Sequence, residues 1–204
     1  MEALSTIAFV LIVMAAMMIL IFRDWRITAA ALAVQYLGAF VLVTLSWPLG
    51  MAIVKLIVGW MATAAIALSW QASTARLEMP TDLSKSDSTG SLFFRGGAGL
   101  LIVLLNFVLT PSLQARVFPQ VDLVIIQGGV MIMGMALMQL GINSNPYLVI
   151  ISLLSFLLGF EVIHAALEMA TLLTGLFVVV NLGLALVGAY FISKLGEGEG
   201  LHDS

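Results

Sequence analysis

Seven stretches of this chain are apolar on every face for roughly the 20 residues that an α-helix needs to cross about 30 Å of hydrocarbon at about 1.5 Å per residue. They are Ala3–Phe22, Ile27–Ser46, Leu49–Trp70, Leu92–Leu113, Val121–Gly141, Tyr147–Leu167 and Thr171–Ser193. Barrel strands would alternate polar with apolar residues, and these runs do not. In a chain of 204 residues, 62% are hydrophobic and only 9% charged, against about 25% charged in ordinary soluble domains. The sequence therefore predicts an all-α integral membrane bundle of seven transmembrane helices, forming one domain over residues 1–193. The segment 194–204, with its Gly-Glu-Gly-Glu-Gly run, is expected to be a disordered cytoplasmic tail.

The breaks between runs have physical causes. Arg23, Asp24, Trp25 and Arg26 make a tight charged corner, while Pro48 and Pro146 stand where a helix starts without needing that N–H. The polar stretch from Gln71 to Ser91 cannot sit in hydrocarbon and reads as the longest loop. Glu2 precedes the first run, and Arg23 and Arg26 follow it, the reverse of a secretory signal, so this helix reads as a retained anchor. With seven spans, Arg23, Arg26, Arg76, Lys85, Arg95 and Lys194 gather on one side and only Arg116 on the other. The positive-inside rule then puts the N-terminus outside and the C-terminus in the cytoplasm.

Charged groups inside the bilayer are expensive and carry functional hypotheses. Lys55 lies in the third run, and Glu161, His164 and Glu168 lie in the sixth; Asp122 stands at the start of the fifth, near the surface. At 100° per residue, Glu161, His164 and Glu168 share a sector of about 60°, opposite Ser152, Ser155 and Gly159. Small residues permit close helix approach, so that helix is expected to be enclosed by protein, with one side a contact and the other a polar path. Lys55 and Glu161 each lie about two turns from the same membrane face, which predicts that they pair, directly or through water. Four plainer readings stand beside these. Lys55 can snorkel its ammonium to the surface, Glu161 can be a structural hydrogen-bonded carboxyl, Glu168 can be a solvated helix end, and His164 can satisfy a neighbour. Gln35, Asn106, Gln127, Gln139 and Asn181 are candidates for a hydrated path, or singly for interhelical hydrogen bonds.

Several functions fail on inventory. There is no cysteine, only one histidine falls in a span, and no HExxH, P-loop or dinucleotide fingerprint occurs, so no metal site and no cofactor are expected. A net charge of −3 without a basic stripe gives nucleic-acid binding no support. Met131, Met133, Met135 and Met138 read as gap-filling apolar packing.

The order of features resembles the E-type small membrane subunit of formate-hydrogenlyase-type membrane hydrogenases. That family is related to the K-type subunit of respiratory complex I and the C subunit of Mrp antiporters. The resemblance rests on the basic corner, the Gln-bearing second helix ending in Val43-Thr44-Leu45-Ser46, and the lysine in Ala52-Ile53-Val54-Lys55-Leu56. It continues through Leu92-Phe93-Phe94, Thr110-Pro111 and the carboxylate in Gly159-Phe160-Glu161-Val162-Ile163-His164. The resemblance implies a subunit without catalysis of its own, in a prokaryotic cytoplasmic (inner) membrane. Its partners would be other membrane subunits, including a large antiporter-like one, and it would support coupled proton or sodium translocation. Glu161 would match the family's membrane carboxylate and Lys55 its lysine. The last helix departs from the pattern, offering Asn181 where the family often has a second acidic residue. A self-contained secondary transporter and a purely structural scaffold are the competing readings.

Overall fold

The computed structural model describes residues 2–77, 89–168 and 170–198. It contains α1 (Glu2–Ile21), α2 (Trp25–Val43), α3 (Leu49–Leu77), α4 (Thr89–Val117), α5 (Leu123–Ile142), α6 (Pro146–Leu167) and α7 (Thr171–Gly198). All seven are long and apolar enough to span a membrane, and no strand occurs among the described residues. With seven such helices among the described residues, the chain is an integral membrane protein.

Local chemistry sets the turns. Asp24 caps α2 by accepting a hydrogen bond from the Arg26 N–H at 2.8 Å. Asn145 caps α6 by accepting from the Tyr147 N–H at 2.9 Å, with Pro146 in the first helical position. The Pro48 carbonyl accepts from the Met51 N–H at 3.0 Å as α3 begins. These short returns bring the start of α3 and the end of α6 to the same end of the bundle.

Three helices outrun their apolar stretches. α3 continues to Leu77 and α4 begins at Thr89, so both ends of the expected loop between Gln71 and Ser91 are helical. Segment 78–88, with Lys85, lies outside the described residues. The polar residues of α3 serve packing: Ser69 and Ser73 donate to the Ala189 and Ile192 carbonyls of α7 at 2.8 and 3.2 Å. A helix satisfies its own backbone and needs no lipid to persist beyond the membrane. Arg95, counted with the loop in the charge tally, is buried in α4. α4 also runs past Pro111 to Val117, beyond the predicted end near Leu113. The lost N–H would have bonded the Phe107 carbonyl. α7 reaches Gly198, so 194–198 are helical rather than a disordered tail; 199–204 lie outside the described residues.

α6 is the most enclosed span, with 61% of its apolar window buried against 17% for α4 and 22% for α7. It packs on α5, α2 and α7, as the small residues on one side predict. Met131 and Met135 are fully buried in the core, as packing residues. At the α5–α6 contact, a Cβ on Gly159 would meet the Gly129 carbonyl oxygen at 2.7 Å and the Met133 backbone nitrogen at 3.0 Å. Backbone atoms on both sides cannot step aside. Gly159→Ala is therefore expected to cost about 1–3 kcal/mol, read as a lower unfolding midpoint in mild detergent.

Candidate functional site

Lys55 and Glu161 meet inside the bundle. Lys55 Nζ lies 3.3 Å from Glu161 Oε2, and the two residues are 8% and 3% exposed. The ammonium does not snorkel. α3 supplies the lysine about two turns from its start, and α6 the glutamate about two turns from its end, the equal depth expected from the sequence.

A polar chain extends from the pair. Asn181 of α7 donates from Nδ2 to Glu161 Oε1 at 2.8 Å, and Tyr36 of α2 donates from its hydroxyl to Asn181 Oδ1 at 3.0 Å. Each carboxylate oxygen thus has an N–H donor, the condition under which a buried charge is tolerable. The Tyr36–Asn181 bond also orients the amide, since an oxygen engaged by Tyr36 leaves the NH2 group facing the carboxylate. Gly59 makes room for this chain: a Cβ there would collide with the Tyr36 ring. On its other sides the ammonium is flanked by aromatic faces, 4.9 Å from the Trp47 ring centre and 5.6 Å from that of Phe177. Both fall within the range of cation–π attraction.

The space around the pair is small. A void of about 10 Å³, lined by Tyr36, Phe40, Leu56 and Leu158 among others, touches both Lys55 and Glu161. That is about one water position. On the α7 side, between Val58, Thr174, Phe177 and Asn181, there is no room for a water at all.

No protein-family model, curated protein or solved structure matches the chain. What the site can do is therefore read from its own residues.

The remaining sequence candidates fall elsewhere. His164 is half-buried and packs edge-on against Phe177, ring centres 5.2 Å apart, beside Phe160. Glu168 is an exposed C-cap whose N–H donates to the His164 carbonyl at 3.1 Å, with φ and ψ that have left the helix. The three-residue polar path predicted along α6 does not form, because Phe177 stands beside His164 and Glu168 has turned out of the helical register. Asp122 sits exposed at the start of α5, as expected. Among the neutral polar residues only Asn181 joins the centre. Gln35 Oε1 accepts from the Ser155 hydroxyl at 2.9 Å, tying α2 to α6. Gln139 donates to the Ile19 carbonyl at 3.1 Å, tying α5 to α1, and Asn106 donates to the backbone carbonyl of Gln127 at 3.1 Å, tying α4 to α5. These are interhelical hydrogen bonds, not a continuous path.

Sequence reasoning missed Tyr36, Trp47 and Phe177. A tyrosine inside an apolar span carries a hydroxyl that needs a partner when buried, and that signal was available for Tyr36. Trp47, in the break between two runs, and Phe177, within the seventh run, carried none, since an aromatic ring at either place reads as packing.

Proposed function

We propose that this chain is a non-catalytic membrane subunit of a complex I-like, hydrogenase-like or Mrp-like assembly, and that it supports coupled proton or sodium movement through Glu161 and Lys55. The observation that carries this reading is the 3.3 Å contact between an ammonium and a carboxylate that are both buried among the helices. Such a pair is switchable. When the flexible lysine stem draws the ammonium away, the carboxylate needs another cation, and the returning ammonium displaces it. The Tyr36–Asn181 chain holds the carboxylate in place during this exchange. Redox or antiport chemistry would belong to partner subunits, among them a large antiporter-like one, in a prokaryotic inner membrane with the C-terminus cytoplasmic.

Glu161→Gln tests this reading. The amide keeps an oxygen to accept from Lys55, so the assembly is expected to form, less stably because the ammonium has lost its counter-charge, while the exchangeable charge is gone. Coupled ion movement by the reconstituted assembly should fall to a small fraction of the parent's. Unchanged movement would remove Glu161 from the mechanism.

One observation favours a second reading, a structural scaffold. α3 packs mainly on α7 and α2 and touches α6 little, so the ion pair is itself the main link between α3 and α6. A scaffold would tolerate neutralising both partners with coupling intact.

A further inference from the structure

We infer that Glu161, Trp47 and Phe177 form a receptor for small primary ammonium ions, filled from within by Lys55, and that it excludes alkali-metal ions. The inference deepens the proposed function by choosing between its two ions, and rests on that reading for the idea that the ammonium leaves in normal operation.

The composition of the cage carries the argument. One carboxylate and two aromatic faces surround the nitrogen, at 3.3, 4.9 and 5.6 Å. This is the chemistry that recognises organic ammonium groups, in which ring quadrupoles replace the water a cation has lost. An alkali-metal ion needs instead a shell of oxygens to replace its hydration. The cage offers the two oxygens of Glu161, already held by Lys55 and Asn181, and Asn181 Oδ1 is engaged by Tyr36. Among the described residues no three carboxylate or imidazole groups come together to bind a metal. The adjoining void of about 10 Å³ has room for about one water, far short of a cation's hydration shell. A cation replacing the ammonium at Glu161 must therefore be a bare proton or an N–H cation. Sodium does not fit.

Truncating the occupant exposes the receptor. Lys55→Ala removes three methylene groups and the ammonium, leaving a space of propylammonium shape that ends at Glu161. With purified full-length Lys55→Ala protein in mild detergent, propylammonium chloride is expected to raise the unfolding midpoint by roughly 3–5 °C in a saturable manner. Sodium and potassium chloride at equal ionic strength should shift it by less than about 1 °C. Lys55→Met, whose side chain refills the space without a charge, should not respond, nor should Lys55→Ala/Glu161→Gln, which lacks the carboxylate. No saturable response to propylammonium, an equal response to sodium, or a response that survives loss of Glu161 would each overturn the inference. So would failure to recover folded Lys55→Ala protein when propylammonium is present throughout membrane extraction, because a receptor of this kind is expected to be rescued. Transport by the assembly does not enter this test, so its failure would leave the Glu161→Gln experiment to judge the proposed function separately.

Discussion

Lys55→Met is expected to destabilise the bundle by about 3–5 kcal/mol, among the largest effects of any single substitution in this chain. Methionine nearly matches the lysine stem in volume, so the loss is not a cavity. What disappears is the charge that Glu161 faces at 3.3 Å and the N–H donor to its Oε2. The carboxylate is then left in an apolar site with Asn181 as its remaining donor. Replacing both partners removes that strain: Lys55→Met/Glu161→Gln should recover most of the loss, since a well-packed neutral pair is often as stable as the ionic one. Unfolding titrations in mild detergent would measure the four corners of this cycle. A double variant as unstable as the sum of the singles would mean that the two side chains do not interact.

Gly59→Leu is expected to lower stability by about 1–3 kcal/mol, and by more than Tyr36→Phe. A single Cβ at Gly59 already collides with the Tyr36 ring, so a leucine must push that ring off α3. The displaced tyrosine lets go of Asn181, and the amide loses the bond that orients it toward Glu161. Tyr36→Phe keeps the ring seated and removes only the hydroxyl, a change of about 1 kcal/mol. If the collision is the cause, Tyr36→Ala and Gly59→Leu together should cost clearly less than the sum of the two alone, because the leucine occupies space the ring has left. Thermal unfolding of these variants checks the order, and equal losses for Gly59→Leu and Tyr36→Phe would show that the ring does not rest on Gly59.

The number and order of helices followed from apolar length alone, because the bilayer sets a single ruler. Their ends did not, because hydropathy reports residence in lipid and a helix needs none: Ser69 and Ser73 pack against α7 on a stretch that reads partly as loop. The pairing of Lys55 with Glu161 was predictable because charge in hydrocarbon demands a partner and the spacing put both at one depth. The sector on α6 predicted more than exists. Angular position on one helix cannot register what a neighbour inserts, and Phe177 of α7 packs against His164 within that sector. The aromatic cage was invisible for the same reason, since Trp47, Phe177 and Lys55 come from separate elements and meet only in the folded bundle.

The most direct test is coupled ion movement by the intact assembly, reconstituted in vesicles with the double variant Lys55→Met/Glu161→Gln in place of the parent chain. A switchable ion pair predicts an assembly that forms normally and no longer couples. Coupling at the parent's level would leave the Lys55–Glu161 contact as a structural tie between two helices.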